Sequence, residues 1–145
     1  MKKRDIIFAF LGVFLIVFVL LALSKPRLKR WSESVSCVNY MSSIGVAARL
    51  WAGDNSNRLA DNFLVMSNEL CTPKILICPS DKTRQVAENW ATFTANNSSY
   101  EIIRPRMSSD DLTNAYFRCT IHGYLCFADG MIFDPKEDRK KQIWK

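Results

Sequence analysis

The chain begins with one long apolar run. Residues 6–23 carry a single glycine and no polar side chain. As a helix this run would span about 27 Å, at about 1.5 Å per residue, which is close to the bilayer hydrocarbon core of about 30 Å. A helix that is apolar on every side is typical of a membrane span and not of a soluble core. No small-residue cleavage site follows the run, so we expect an anchor that stays in the membrane.

A second pattern, with helical periodicity, follows the apolar run. The apolar side chains between residues 31 and 51 recur every three or four positions, at Val35, Val38, Met41, Ile44, Ala48 and Trp51. This spacing predicts an amphipathic helix with one buried face. Gly53 and the polar residues after it predict the end of the helix. Pro26, between the two patterns, predicts a kink or a restart of the helix.

Short apolar runs in the second half of the chain predict strands. The strand candidates are residues 74–78, 99–103, 115–119, 124–128 and 131–133. The last two flank Asp129-Gly130, which is typical of a two-residue hairpin turn. Residues 63–70 fit a short helix. The predicted fold class is α+β, in which a long N-terminal helix, a membrane anchor continuing into an amphipathic helix, packs on a small antiparallel β-sheet.

The net charge of +6 surrounds the anchor and is absent from the folded domain. Residues 1–30 hold seven basic side chains and one acidic side chain, whereas residues 31–145 hold 13 of each. Basic clusters on both sides of an apolar run are typical of membrane flanks. A nucleic-acid-binding module would need its basic surface on the folded domain. We therefore expect membrane lipid as a partner and no nucleic acid.

Five cysteines, all beyond the anchor, indicate the side of the membrane on which the domain lies. The positive-inside rule alone does not orient the chain, because the basic residues before and after the anchor are nearly equal in number. Five cysteines in a domain of about 115 residues are more typical of an oxidising compartment than of cytosol. Residues 1–30 would then form a cytoplasmic tip, anchor and basic collar. Residues 31–145 would form an exported domain with a charged C-terminal tail.

Several motifs resemble those of pseudopilin-like, prepilin-type proteins related to type II secretion. In the order of the family they are SCVNYMSSIG at 36–45, WAGDN at 51–55, CPSD at 78–81, FRCTIHG at 117–123 and DG at 129–130. The resemblance covers about residues 24–133. It implies a pilin-like fold whose N-terminal helix anchors the protein in the bacterial inner membrane and packs against neighbouring helices, with the small domain on the periplasmic side. The implied partners are other pilin-like or secretion-system subunits, including further copies of the chain.

The chain departs from this family at its processing site. Family members carry a Gly-Phe site for prepilin peptidase and a glutamate five residues into the mature chain. Here the first glycine is Gly12, inside the apolar run, and no glutamate occurs in the first 30 residues. In the family that glutamate is understood to neutralise the amino terminus of a neighbour, because a lone charge in lipid is costly. We therefore expect an unprocessed, permanently anchored protein.

The cysteines are expected to form disulfides. Cys37, Cys78 and Cys119 all lie in motifs that resemble the family. We expect a disulfide between Cys78 and Cys119, which would stabilise the domain by about 3–4 kcal/mol by closing a loop of about 40 residues. Cys71 and Cys126 form a second, less favoured pair, and Cys37 would remain a buried thiol.

Zinc binding is an alternative use of the same residues. Cys119-Thr-Ile-His122 has the spacing C-x-x-H, and Cys71 and Cys78 could complete a tetrahedral site of three cysteines and one histidine. The separation of Cys71 and Cys78 exceeds the two to four residues typical of a zinc knuckle. Mostly free thiols are the third option.

The sequence lacks the motifs of common enzyme classes. It has no C-x-x-C pair, no G-x-S-x-G and no glycine-rich phosphate loop. We expect no catalytic residue, no cofactor and no small-molecule substrate. The expected function is that of a non-enzymatic structural protein that assembles through its N-terminal helix in a type II secretion or type IV pilus-like system. The alternative is a stand-alone envelope-anchored binding module whose pilin-like domain no longer polymerises.

Overall fold

The structure, a computed structural model, describes residues 3–136 of the chain and divides it into two units. The first is Met1–Glu33 and the second is Ser34–Lys145. One helix, α1 (Lys3–Asp54), begins in the first unit and ends in the second. Most of the predicted C-terminal tail, residues 137–145, lies outside the described residues.

The first unit is formed by the apolar part of α1. The side chains of residues 11–21 are exposed, and in the described part of the chain this helix is long and apolar enough to cross a membrane. Helix α1 continues through Pro26, so the restart considered there does not occur. Proline removes one backbone donor from a helix. The stretches on both sides favour helix strongly enough to tolerate that loss, and Arg30 Nε donates a hydrogen bond to the Pro26 carbonyl oxygen at 3.4 Å.

In the second unit α1 is amphipathic, as its spacing predicts. The buried side chains of this part of α1 include Cys37, Met41, Ile44, Ala48 and Ala52. Val35 is exposed and Trp51 is only partly buried, so the buried face is rotated slightly from the predicted one. The rotation places the Cys37 thiol, and not the Val35 side chain, against the core.

The second unit also contains a four-stranded antiparallel sheet in which each strand neighbours the next along the chain. The strands are β1 (Tyr100–Ile102), β2 (Ala115–Cys119), β3 (Leu125–Phe127) and β4 (Ile132–Phe133). Four of the five side chains of β2 are buried, so β2 is the strand that packs most extensively in the core. The predicted α+β class, with one long helix and a small antiparallel sheet, is confirmed.

The hairpin between β3 and β4 has a longer turn than the sequence predicts. Residues 128–130 form a three-residue loop, because the Phe127 N–H donates to the Met131 carbonyl oxygen at 3.0 Å. Gly130 has a φ of +86°, the left-handed conformation that closes such loops. The two-residue turn at Asp129-Gly130 was therefore the wrong length, although the hairpin is confirmed.

The predicted strand at residues 74–78 is wrong. Pro73–Leu76 forms a 3₁₀ turn, which begins where the Thr72 hydroxyl accepts a hydrogen bond from the Lys74 N–H at 3.4 Å. A short apolar run does not distinguish a strand from a buried turn, and Pro73 favours the start of a helical turn. The predicted short helix at residues 63–70 is present as a 3₁₀ turn, Leu64–Met66, followed by α2 (Ser67–Leu70).

At Gly45, α1 packs closely against the β3–β4 hairpin. A Cβ atom at this position would lie 3.2 Å from Cys126 Sγ and 3.3 Å from Gly130 Cα, whereas one at Gly53 would meet nothing within 4 Å. Gly45→Leu should therefore lower the free energy of unfolding by about 1–3 kcal/mol, as overpacked cores do. Gly53→Leu, on the same helix, should be neutral or raise it slightly through helix propensity. Denaturant unfolding of both full-length variants in detergent tests this, and equal effects would contradict it.

A candidate metal centre

Three cysteines and the only histidine of the chain meet in the second unit. Cys37 lies on α1, Cys78 follows the 3₁₀ turn Pro73–Leu76, Cys119 ends β2, and His122 lies in the turn between β2 and β3. One donor atom from each side chain lies within 4.8 Å of the other three. The three cysteines are fully buried and His122 is partly buried.

The turn between β2 and β3 brings His122 back to Cys119. The Gly123 N–H donates to the Cys119 carbonyl oxygen at 2.9 Å, and Gly123 has a φ of +79°, which favours glycine. The His122 N–H donates to Cys119 Sγ at 3.4 Å. The C-x-x-H spacing therefore forms a tight turn with both donor side chains on the same side.

A chain of buried hydrogen bonds positions Cys78. The Cys78 N–H donates to Ser99 Oγ at 3.0 Å, and the Ser99 hydroxyl donates to Asp81 Oδ2 at 2.7 Å. The Asp81 N–H closes the turn by donating to the Cys78 carbonyl oxygen at 2.8 Å. The segment that carries Cys78 is thus tied to β1 through the residue that precedes this strand.

Three pairs of donor atoms are spaced as neighbouring ligands of a tetrahedral metal ion would be. Cys37 Sγ lies 3.6 Å from Cys119 Sγ, and His122 Nδ1 lies 3.4 Å from Cys78 Sγ and 3.7 Å from Cys119 Sγ. In tetrahedral zinc sites the metal–sulfur and metal–nitrogen bonds are about 2.3 and 2.0–2.1 Å long, which puts neighbouring ligand atoms about 3.5–3.8 Å apart. These three separations match that size, and the remaining pairs of donor atoms lie within 4.8 Å.

The surrounding side chains orient the imidazole and one of the thiols. Ser80 Oγ lies 3.3 Å from His122 Nε2, so a proton on Nε2 leaves the Nδ1 lone pair facing the cysteines. The Tyr124 ring stacks on the imidazole with centroids 5.0 Å apart. The Tyr100 hydroxyl lies 3.6 Å from Cys37 Sγ.

Hydrogen bonds within the cluster give the three thiols different pKa values. Hydrogen bonds from Cys37 and Cys78 lower the pKa of Cys119 well below its usual range, with the His122 contacts adding to this effect. The hydrogen bond to Cys119 is also the largest cause that raises the pKa of Cys78 to about 11, and it raises the pKa of Cys37 further still. The cluster therefore stabilises a thiolate at Cys119.

Two of the cysteines lie apart from this cluster. Cys71 is exposed after α2, where its Sγ lies 3.6 Å from the Asn68 carbonyl oxygen. Cys126 is buried on β3, where burial is the largest cause that raises its pKa to about 12. All five cysteines are free thiols in this structure. The structure places the Cys78 and Cys119 thiols within 4.8 Å of each other, but it joins neither that predicted pair nor Cys71 and Cys126 by a disulfide.

Cys37 is the member of the cluster that the sequence-based zinc alternative lacked. That alternative combined Cys71 with Cys78, Cys119 and His122, and the structure has Cys37 in the place of Cys71. A signal was present in the sequence, because Cys37 continues the helical spacing of Met41, Ile44 and Ala48 toward the N-terminus. The thiol was therefore predicted to be buried, but its neighbours were not.

Comparison of the chain with protein-family models, with curated proteins and with solved structures gives no match.

Proposed function

We propose that the chain is a non-enzymatic, membrane-anchored structural protein with a pilin-like domain that assembles through its N-terminal helix. The observation that carries this proposal is the character of α1 along its length. Residues 11–21 are apolar and exposed, whereas later in the same helix Cys37, Met41 and Ile44 are buried in the core. An apolar surface of that length is stable in lipid or against neighbouring helices and unfavourable in water.

The exported part of α1 supports assembly as well as anchoring. Val46 and Leu50 are 55% and 60% exposed, and their spacing of four places them on one face of the helix. A neighbouring subunit could cover this face, as the resemblance to prepilin-type proteins implies. The membrane is the bacterial inner membrane, with the N-terminus cytoplasmic and the second unit periplasmic. The proposed partners are membrane lipid and subunits of a type II secretion or type IV pilus-like system, including copies of the chain.

Site-specific photocrosslinking in cells tests this function. A crosslinking amino acid at Leu20, in the apolar run, or at Leu50 should give a ladder of homo-oligomers or bands with pilin-like subunits. The matched control is Val86, which is also exposed but lies in a loop remote in sequence from α1. It should give far weaker bands, because assembly is proposed to use the helix.

The outcomes separate the two candidate functions. Oligomer ladders at positions 20 and 50, with little signal at position 86, support assembly. A single unrelated partner, with no oligomers at any position, would contradict assembly and favour the stand-alone binding module.

A further inference from the structure

We propose that Cys37, Cys78, Cys119 and His122 bind one structural zinc ion. This inference goes beyond the proposed function and does not depend on it, because the four residues lie in the second unit alone. It rests on the convergence of four side chains with soft or borderline donor atoms, which together make up a recognised zinc ligand set.

The number of ligands indicates the role of the metal. Four protein donors fill a tetrahedral zinc ion and leave no position for water or substrate, which is typical of structural and not of catalytic sites. A disulfide between Cys78 and Cys119 would use only two sulfur atoms. It would leave the Cys37 thiol buried beside the disulfide and give the imidazole of His122 no role. Zinc accounts for all four side chains at once.

The location of the cluster would let a bound metal ion stabilise the domain. Its ligands come from α1, from the segment after the 3₁₀ turn, and from the end of β2 with the β2–β3 turn, three parts of the chain that are far apart in sequence. A single ion would connect the helix to the sheet and to the intervening segment. A small domain with short strands gains more from such a crosslink than a large one does.

Zinc binding releases protons and transfers no electrons. The S–H bonds of Cys37 and Cys78 break and their two protons pass to solvent, Cys119 binds as the thiolate that it already is, and three Zn–S bonds form. Neutral His122 donates its Nδ1 lone pair and keeps its Nε2 proton toward Ser80 Oγ. The zinc ion then carries three thiolates and one neutral ligand, so no oxidant or reductant takes part.

Metal analysis of the full-length protein tests the proposal directly. The chain, purified in detergent and dialysed against a chelator too weak to strip structural zinc, should retain one zinc ion per chain. X-ray absorption at the zinc edge should show three sulfur neighbours at about 2.3 Å and one nitrogen at about 2.0–2.1 Å. This measurement uses the wild-type protein, so it remains decisive even if a variant fails to fold.

Variants assign the ligands. Cys37→Ser should weaken zinc binding by more than about 100-fold in chelator competition, because replacing even an outer-contact residue typically weakens it by about 10–100-fold. Ser80→Ala removes the partner of His122 Nε2, and it should weaken zinc binding by about 10–100-fold. Cys71→Ser is the matched control, since Cys71 is exposed and lies outside the cluster, and it should bind zinc as the wild type does.

Two results would overturn the proposal. One is wild-type protein that holds no zinc and gives a Cys78–Cys119 disulfide in non-reduced peptide masses. The other is Cys37→Ser protein that binds zinc as tightly as Cys71→Ser. Neither result bears on the crosslinking pattern along α1, so failure of the zinc site and failure of the assembly function are distinguishable.

Discussion

Phe117→Ala should lower the free energy of unfolding of the domain by about 3–5 kcal/mol, the usual loss when a buried phenylalanine is truncated. Phe117 is fully buried in β2. Its ring makes edge-to-face contacts with Phe63 and Tyr100, both at 6.2 Å between centroids, and with Tyr116 at 5.7 Å. Truncation removes all three contacts and leaves a cavity that the surrounding structure fills only partially.

Denaturant unfolding of the full-length protein in detergent measures this loss. Phe127→Ala is the matched control, because it deletes the same atoms from a neighbouring strand where the side chain is only partly buried. We expect the control to lose at least about 1–2 kcal/mol less, since less apolar area returns to water. Equal losses would show that Phe117 is not the centre of the core.

Asp81→Ala should lower the free energy of unfolding by at least about 2 kcal/mol at pH 7, since each hydrogen bond to a charged group contributes about 1.5–3 kcal/mol. The Asp81 side chain is fully buried. Its carboxylate accepts from the Thr83 hydroxyl at 2.7 Å, from Arg84 Nη1 at 2.7 Å and from the Ser99 hydroxyl at 2.7 Å. Truncation also leaves the Ser99 hydroxyl, which holds Cys78, without its acceptor.

The contribution of Asp81 should depend on pH in a defined direction. Burial by itself would raise the pKa of Asp81, but hydrogen bonds from Thr83, Ser99 and Arg84 together hold it well below its usual range. The folded-state pKa thus lies below the unfolded value of about 3.9. The stability from this carboxylate is then fully present above about pH 5 and is lost as the pH falls toward the folded-state pKa.

A comparison at two pH values measures that dependence. The difference in unfolding free energy between wild type and Asp81→Ala should shrink by about 1 kcal/mol between pH 7 and pH 3. The control Asp61→Ala removes a more exposed carboxylate, paired with Arg106 at 3.2 Å, and should change stability by less than about 1 kcal/mol. A wild-type advantage that grows on acidification would refute the depressed pKa.

The sequence predicted the elements whose patterns are long or regular. The apolar run and the three-to-four spacing around Met41 were sufficient for α1, and Asp129-Gly130 was sufficient for the β3–β4 hairpin. The prediction of a strand at residues 74–78 failed because four apolar residues fit a strand and a buried turn equally well. The hydrogen bond at Thr72 that begins the turn is a local side-chain contact. Periodicity carries no information about that contact.

The site could be predicted only in part, for a different reason. The C-x-x-H spacing grouped Cys119 with His122 as candidate ligands of one zinc site, because residues so close in sequence can meet through local structure alone. Which other cysteines join them depends on how α1 and the segment after the 3₁₀ turn pack on the sheet. Tertiary packing therefore determines whether Cys37 or Cys71 joins the cluster. Likewise, Asp81 fits an ordinary exposed turn by sequence, and only the packing around Ser99 shows that it is buried.

The mass of the intact full-length protein, measured under native conditions in detergent without reducing agent, tests the metal centre most directly. A bound structural zinc ion gives the mass of the chain plus one zinc ion less the protons that the ligands release. That mass should revert to that of the fully reduced chain after acid and chelator. A native mass lower than that of the reduced chain by the hydrogens lost in forming a disulfide, with no zinc bound, would contradict the zinc site.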